Sequence, residues 1–307
     1  MDEYDLLIVG GGPAGLTAGI YAVRAEMRAL VLESEAPGGK IGTAGIVENY
    51  PGFAQGIMGI DLAEAMAKQA QNAGVEIKSL EKVTKIERKE KKFLVTTAKG
   101  QYLGKTVLIA TGMRDRKMGV PGEKELSGRG VSYCFTCDGP LYRGKRVAVL
   151  GSGTGAVEAA VYLSKLAKEV RLVAKRDRVT TAEKIMERRL EASDVKITTS
   201  AETLAILGDE KVSGVRVRLK TGEERTVETD GVFVEVGKSP NSELLKGLVE
   251  MDKGGFIVVD RFQRTSVPGL YAGGDVTTSN AWKQLGVAVA EGTTAALDAY
   301  RYVQEKF

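Results

Sequence analysis

The sequence contains no histidine, two cysteines and one tryptophan in 307 residues. The lack of histidine excludes any mechanism in which an imidazole is the general base, and it removes the usual nitrogen ligands of zinc. The 44 Lys/Arg and 40 Asp/Glu residues give a net charge of only +4. Because no dense basic block with interleaved aromatics is present, we expect no nucleic acid as a partner.

The N-terminal region lacks targeting and membrane features. Residues 1–5 are acidic where a secretory signal would be basic, and the uncharged run 6–23 contains five glycines and a proline. A strand, a turn and a helix explain this run better than a membrane span. We therefore expect a cytoplasmic protein with no membrane partner, a setting in which a Cys-x-x-Cys pair is more often catalytic than structural.

The only cysteines, Cys134 and Cys137, are three residues apart, and Asp138 follows them. Such a dithiol can take up and release two electrons. The alternatives are a small structural disulfide, or a zinc site made only of cysteines and shared between two subunits. We interpret the pair as a redox centre. Asp138 is the nearest titratable group for proton transfer, although it also suits an ordinary helix N-terminal acid.

An apolar run over residues 4–9 is followed at once by a glycine-rich turn with the GxGxxG spacing. The pattern predicts a strand, a tight turn and a helix that begins near Pro13, with its free N–H groups directed at a diphosphate. A second apolar run, residues 28–32, ends in Glu33, where an acid binds a ribose hydroxyl of a dinucleotide. The turn residues expected at this dinucleotide are Gly10, Gly12, Pro13, Ala14 and Gly15.

The same pattern recurs after the cysteines. An apolar run over residues 146–150 precedes a second glycine-rich turn, helical spacing runs from Val157 to Leu166, and an apolar run over 169–173 follows. A chain with two dinucleotide folds is expected to bind two dinucleotides, most simply a flavin and a nicotinamide. The turn residues expected at the second are Gly151, Gly153, Thr154 and Ala156.

The residues after the second βαβ unit bear on the choice of nicotinamide. The acid that NAD requires at the ribose is missing, and Lys175, Arg176 and Arg178 stand in its place. Positive side chains there suit the 2′-phosphate of NADPH. A solvated basic loop is the alternative.

Further motifs accompany the two turns along the whole chain. They are Gly38-Gly39, Glu48 to Phe53 (ENYPGF), Ala110-Thr111-Gly112, Gly139-Pro140 after the cysteines, Gly237 with Pro240-Asn241, and Tyr271 to Val276 (YAGGDV). In this order they resemble the low-molecular-weight thioredoxin reductases, the class II FAD-dependent pyridine nucleotide-disulfide oxidoreductases. The resemblance implies an α/β fold of two Rossmann-like, three-layer ββα dinucleotide-binding domains, with the second inserted into the first.

The resemblance also implies boundaries and an activity. Residues 1–115 and 245–307 would form the FAD-binding domain, and residues 116–244 an NAD(P)H-binding domain that carries the redox disulfide. The implied activity is thioredoxin-disulfide reductase: electrons pass from NADPH through FAD and the Cys134–Cys137 disulfide to thioredoxin or a similar small dithiol protein. A homodimer is implied as well.

Residue roles follow from the matched motifs. Asn49 would lie by the isoalloxazine, Asp275 would reach the ribityl chain, and Gln284 would meet the flavin ring. The FAD contacts that the resemblance implies, in addition to the first glycine turn and Glu33, are Gly39, Asn49, Ala110, Thr111, Gly112, Gly274, Asp275, Lys283 and Gln284.

The chain departs from the family's pattern at several positions. Ala174 replaces a histidine at the 2′-phosphate site, Thr154 and Gly155 replace other residues in the second turn, and Lys283 replaces the usual arginine. These differences leave the electron donor open between NADPH and NADH, ferredoxin or another flavin. A different class of function also stays open, that of a non-catalytic flavoprotein electron-transfer module.

Overall fold

The structure, a computed structural model, describes residues 2–307. Within these residues the strands are β1 (Glu3–Val9), β2 (Ala29–Leu32), β3 (Ile46–Val47), β4 (Ile57–Met58), β5 (Glu76–Lys78), β6 (Val83–Lys89), β7 (Lys92–Thr97), β8 (Gln101–Ile109), β9 (Met113–Asp115), β10 (Val131–Ser132), β11 (Arg146–Gly151), β12 (Glu169–Val173), β13 (Lys196–Thr198), β14 (Ala201–Gly208), β15 (Val212–Leu219), β16 (Glu224–Glu228), β17 (Gly231–Glu235), β18 (Lys238–Pro240) and β19 (Leu270–Ala272). The α-helices are α1 (Pro13–Arg24), α2 (Gly59–Asn72), α3 (Phe135–Asp138), α4 (Thr154–Ser164), α5 (Lys184–Glu191) and α6 (Leu285–Lys306). Short 3₁₀ helices span Gly39–Thr43, Gly139–Tyr142 and Glu243–Leu245.

The chain divides into two compact units. The first unit runs to Arg114 and resumes at Ser239, and the second unit is Asp115–Lys238. The chain re-enters the first unit at Ser239, and the predicted start of this segment is residue 245. Asn241 is bonded to the first unit, because its N–H donates to the Gly112 carbonyl (3.0 Å) and its side-chain amide donates to the Thr111 carbonyl (2.9 Å).

The first unit is built on a mixed seven-stranded sheet. Five strands are parallel, in the order β5, β2, β1, β8 and β19, and β7 and β6 extend the sheet as an antiparallel hairpin. Strand β8 is long enough to pair with β7 through Gln101–Gly104 and with β19 through Val107–Ile109. The predicted strands over residues 4–9 and 28–32 both lie in this parallel part.

Both faces of this sheet are buried, which explains why its strands are continuous apolar runs. Alternate residues point to opposite sides of a strand. Leu6 and Ile8 pack with α1 and α6 in one cluster, whereas Leu7 and Val9 pack on the other face with residues such as Phe93. The sheet is therefore the middle layer of three.

A buried acid fixes the segment before β19 to α6. Asp298 accepts hydrogen bonds from Arg264 Nε (2.6 Å), from the Tyr271 hydroxyl (3.0 Å) and from Arg301 (2.7 Å). Burial by itself would raise the pKa of Asp298, but the bonds from Arg264 and Tyr271 outweigh burial and hold the pKa below its usual value. The carboxylate therefore stays charged while it joins three elements.

The second unit has two sheets. Strands β10, β17, β11, β12 and β13 form a parallel sheet, and β14, β15 and β16 form an antiparallel one. Val147 and Val149 face α4, while Ala148 and Leu150 face the antiparallel sheet, again giving three layers. Helix α4 ends at Ser164, so Leu166, predicted within it, lies beyond the helix.

Among residues 2–307, no helix has both the length and the apolar character needed to cross a membrane.

Candidate active site

The predicted FAD residues of the first unit gather at one edge of its parallel sheet. The glycine turn follows β1, Glu33 follows β2, Ala110–Gly112 follow β8, and Gly274 with Asp275 follow β19. Because the four strands are parallel, their carboxyl ends share that edge, where open α/β sheets bind ligands. Sequence-distant segments are thus collected into one site.

Two glycines of the first turn are required by packing. Gly10 has φ +107°, and a methyl group on it would overlap the Ala110 carbonyl oxygen. A methyl group on Gly15 would overlap the Gly10 carbonyl oxygen, so α1 can approach β1 only with glycine here.

Gly12 differs from both. Its backbone is extended (φ −77°, ψ −176°), and the nearest atom to a methyl group there would be Gly39 Cα at 3.9 Å. Among residues 2–307, no other atom apart from the chain neighbours comes within 4 Å of that position, which lies at the N-terminus of the twelve-residue helix α1. An open cradle beside free helix N–H groups fits a diphosphate, so the residues present fit FAD.

Glu33, the residue predicted at the ribose, is tied to the glycine turn by hydrogen bonds. Its Oε2 accepts the Gly11 N–H at 2.6 Å, and its Oε1 accepts the Glu35 N–H at 2.8 Å. The side chain is buried. A carboxylate has about four acceptor positions, so capacity remains for a ribose hydroxyl.

Two residues predicted at the flavin ring meet in the structure although they are 235 positions apart. Asn49 Nδ2 donates to Gln284 Oε1 at 3.4 Å. Gln284 is the residue that precedes α6, and Lys283 beside it donates to the Thr277 carbonyl at 2.6 Å. Gly39, also predicted, lies against Gly12, since a methyl group on it would be 3.0 Å from Gly12 Cα.

Sequence reasoning missed Glu291. This buried residue of α6 accepts the Gly274 N–H at 2.6 Å and bonds to the Ser279 hydroxyl, and so holds the loop that carries Asp275. Thr111 is held in a comparable way, because its hydroxyl donates to the Asn241 carbonyl at 2.6 Å. The Pro240-Asn241 motif in the sequence could have indicated the contact between Thr111 and Asn241. No sequence motif marks Glu291.

The second glycine turn, between β11 and α4, repeats this design. A methyl group on Gly151 (φ +158°) would overlap the Glu235 carbonyl oxygen, and the buried Ala156 packs against Gly151. At Gly153, a methyl group would meet no atom of residues 2–307 within 4 Å, apart from its chain neighbours. This open cradle fits a second diphosphate. Thr154 accepts the Ala182 N–H at 3.2 Å.

The three basic residues after β12 differ in their surroundings. Lys175 Nζ pairs with Glu202 Oε1 at 2.7 Å, and Arg218 approaches the same carboxylate at 3.8 Å. Arg176 and Arg178 are exposed. The positive charge that sequence reasoning assigned to Lys175 is therefore partly neutralised within the protein.

The two cysteines form a disulfide that follows the carboxyl end of β10. Cys134 precedes α3, and its Sγ accepts the Cys137 N–H at 3.2 Å. Cys134 is half-buried, whereas Cys137 is exposed. Both cysteines of the chain are bonded to each other, so neither stands as a zinc thiolate here.

Asp138 ends α3, and its N–H donates to the Cys134 carbonyl at 3.1 Å. Burial, and secondarily the Asp138 charge, raise the pKa of the neighbouring Tyr142 hydroxyl. The Tyr142 hydroxyl thus stays protonated beside Asp138.

Two glycine cradles and one redox disulfide define an oxidoreductase that handles dinucleotides and disulfides. The chain belongs to the pyridine nucleotide-disulphide oxidoreductase family, whose model matches residues 4–292. Its relatives within that family include thioredoxin reductases. It is 42% identical over 302 residues to the thioredoxin reductase of Treponema pallidum, an alignment that covers 98% of this chain and 97% of the relative.

Solved structures agree. The thioredoxin reductase of Lactococcus lactis in its FR conformation matches with a TM-score of 0.94 and 37% identity, over 98% of this chain and 99% of the other. The thioredoxin reductase of Thermoplasma (T. acidophilum) matches with a TM-score of 0.93 and 39% identity, over the same shares. The predicted family, the oxidoreductase class and the α/β fold with Rossmann-like sheets are confirmed. FAD and NADPH, the predicted cofactors, are those that thioredoxin reductases of this family use.

Proposed function

We propose that this protein passes electrons from NADPH, through bound FAD and the Cys134–Cys137 disulfide, to a disulfide of thioredoxin or a thioredoxin-like small protein. The observation that carries the proposal is the position of the disulfide. It follows a strand of the same parallel sheet that presents the second glycine turn. Its thioredoxin reductase relatives, matched over nearly their whole length, support the same function.

The cysteine pair carries the exchange step. Bound FAD supplies the chemistry that converts a hydride from the nicotinamide into two electrons for the disulfide. The dithiol then exchanges with the partner through a mixed disulfide, for which one sulfur must be reachable while the other resolves the bond. Exposed Cys137 and half-buried Cys134 provide this asymmetry. Asp138 holds the proton that the exchange needs, since no histidine is available.

The FAD assignment rests on the carboxyl edge of the first sheet. Gly12 would leave space for the diphosphate and Glu33 would bind the adenosine ribose. Asp275 would meet the ribityl chain, as the resemblance to the family implies. Asn49 and Gln284, which are bonded to each other, would hold the flavin ring.

For NADPH we assign the open space at Gly153 to the diphosphate and the exposed Arg176 and Arg178 to the 2′-phosphate. Lys175 contributes less, because Glu202 holds it. The alternative is the same flavin and disulfide chemistry with a different donor, such as NADH, ferredoxin or another flavin. One observation favours a donor other than a nicotinamide dinucleotide: Glu235 Oε2 lies 2.9 Å from where a methyl group on Gly155 would stand, which puts a carboxylate beside the second turn.

Two partners belong to this proposal. Leu141, exposed and four residues after Cys137, offers an apolar contact beside the disulfide for the small dithiol protein. Exposed Tyr21 on α1, with Leu297 and Tyr300 on α6, offers an apolar surface for a second copy, as a homodimer requires. We expect a cytoplasmic enzyme, in keeping with catalytic use of a Cys-x-x-Cys pair.

Anaerobic stopped-flow at the flavin absorbance tests the donor. NADPH should bleach the flavin faster than NADH, and bleaching by neither would transfer the proposal to the alternative donors. An insulin-reduction assay with added thioredoxin tests the transfer of electrons from the cysteine pair to the partner protein. The Cys134→Ser variant should keep flavin reduction and lose insulin reduction. Turnover that survives in this variant would remove the disulfide from the pathway and leave a flavoprotein electron-transfer module.

A further inference from the structure

Tyr133, the residue immediately before Cys134, is anchored to a buried acid. Its hydroxyl donates to Glu123 Oε1 at 2.8 Å, and Glu123 is only 4% exposed. Burial, and then the bond to Glu123, raise the pKa of the Tyr133 hydroxyl. The hydroxyl therefore remains a proton donor to Glu123 at any pH at which the protein works.

The same carboxylate holds a second segment of the unit. Glu123 Oε1 accepts the Met118 N–H at 2.9 Å, and Oε2 accepts the Gly119 N–H at 2.6 Å. Lys117, just before them, places its Nζ 3.1 Å from the centre of the Tyr133 ring. One buried group thus joins the start of the second unit to the residue that precedes the disulfide. We call Lys117, Glu123 and Tyr133 the clamp.

Cys134 is consequently fixed on its N-terminal side by two neighbours. Ser132 Oγ accepts the Cys134 N–H at 3.0 Å and donates to the Cys134 carbonyl at 3.2 Å. Tyr133 adds the connection to Glu123. On its C-terminal side, the Cys134 carbonyl accepts the Asp138 N–H.

We propose that Glu123 and Tyr133 are positioning residues that hold Cys134 close to Cys137 and so set the equilibrium between the disulfide and the dithiol. Reduction breaks the S–S bond and adds two electrons and two protons, while the clamp bonds stay in place. Closing the disulfide depends on the effective concentration of one sulfur at the other, which restriction of Cys134 raises. The proposal rests on the assignment of this pair as the redox centre.

The test is the Tyr133→Phe variant of the whole FAD-loaded protein, equilibrated in glutathione buffers of graded GSH/GSSG ratio. The dithiol fraction is read by alkylation and mass shift. Because the clamp bond is present in both the disulfide and the dithiol, only the ordering of Cys134 that it provides counts, and the equilibrium constant for disulfide formation should fall by roughly two- to tenfold. The cysteine pair should accordingly become easier to reduce. A tenfold change corresponds to about 30 mV.

Tyr102→Phe is the matched control. The Tyr102 hydroxyl also donates to a buried glutamate, Glu81 Oε1 at 3.2 Å, but in the first unit. This variant should lose stability in thermal melting and keep the wild-type glutathione equilibrium. An unchanged equilibrium in Tyr133→Phe, or an equal shift in both variants, would overturn the proposal.

Lys117→Met provides an independent variant should Tyr133→Phe not fold. It removes the ammonium group over the Tyr133 ring and keeps the hydroxyl bond, so a smaller shift in the same direction is expected. If Tyr133→Phe does not fold and Lys117→Met keeps the wild-type equilibrium between disulfide and dithiol, the proposal that the clamp positions Cys134 is refuted. Because glutathione replaces both NADPH and thioredoxin here, failure of the clamp is distinguishable from failure of the proposed function, which only the insulin assay reports.

Discussion

Adding a single methyl group should have opposite effects at two glycines of the first turn, Gly15 and Gly12. At Gly15 the methyl group would overlap the Gly10 carbonyl oxygen, a backbone atom that cannot move aside. At Gly12 it would point into open space, with its nearest neighbour 3.9 Å away. We therefore expect Gly15→Ala to damage the fold and Gly12→Ala to damage only the binding of FAD.

The magnitudes follow from the geometry. Overpacking against a fixed backbone costs about 1–3 kcal/mol or more, so Gly15→Ala should lower Tm by several degrees. Gly12→Ala changes an N-cap residue whose φ of −77° suits alanine. Alanine is a poorer N-cap than glycine, which lowers the free energy of unfolding, but it also restricts the unfolded chain, which raises it. The two effects offset each other to within about 1 kcal/mol. With the diphosphate in the cradle, the same methyl group costs about 1–3 kcal/mol, which is roughly a five- to 150-fold weaker Kd for FAD.

Two measurements separate these outcomes. Thermal melting of flavin-stripped protein reports the fold, and calorimetric titration with FAD reports the cradle. Gly153→Ala and Gly151→Ala repeat the comparison for the nicotinamide dinucleotide at the second turn. A flavin-stripped Gly12→Ala protein that melts as early as Gly15→Ala would refute the reasoning. So would one that binds FAD with wild-type affinity.

Three further predictions concern charged groups. Because the folded-state pKa of Asp298 is lowered, its charge stabilises the fold above its unfolded pKa. Asp298→Asn should cost roughly 1–3 kcal/mol at neutral pH, and its Tm deficit should shrink as pH falls below about 4; a constant deficit would contradict this assignment. Asp138→Asn should slow oxidation of the dithiol by the partner and leave flavin reduction unchanged in stopped-flow; equal effects on both half-reactions would remove Asp138 from proton transfer. Arg176→Ala or Arg178→Ala should reduce kcat/KM for NADPH about ten- to hundredfold without changing that for NADH, whereas Lys175→Ala should have a smaller effect; the reverse order would show that the Lys175 ion pair opens on binding.

The parts of the site that the sequence predicted are those encoded locally. Each glycine turn sits between an apolar strand and a helix, so the order of residues fixes its geometry, and Gly10, Gly15 and Gly151 lie where the spacing places them. The Cys-x-x-Cys pair at a helix start is local in the same sense, and α3 begins directly after Cys134.

The parts that the sequence did not predict depend on contacts between distant segments. Glu291 reaches Gly274 across 17 positions, and the clamp links Glu123 to Tyr133 across ten. In both cases a buried carboxylate satisfies backbone or hydroxyl donors of a loop, and no residue spacing announces such a bond. For the same reason the sequence did not predict the ion pair that Lys175 forms with Glu202, since the two residues are 27 positions apart.

The two glycine turns also differ in where their acid comes from, and this difference bears on the donor. In the first unit the acid after the second strand, Glu33, bonds back to the turn and remains next to the ribose position. In the second unit the residue after the corresponding strand β12 is Ala174, and the acid beside the turn is Glu235, from the end of β17. A ribose position without a carboxylate favours a phosphate there, while Glu235 disfavours negative charge nearer the glycines. Glu235 should therefore weaken the binding of either nicotinamide dinucleotide, while Arg176 and Arg178 favour NADPH over NADH. Glu235→Gln should raise the affinity for NADPH and NADH alike in a binding titration, whereas an effect confined to NADPH would place Glu235 at the 2′-phosphate instead.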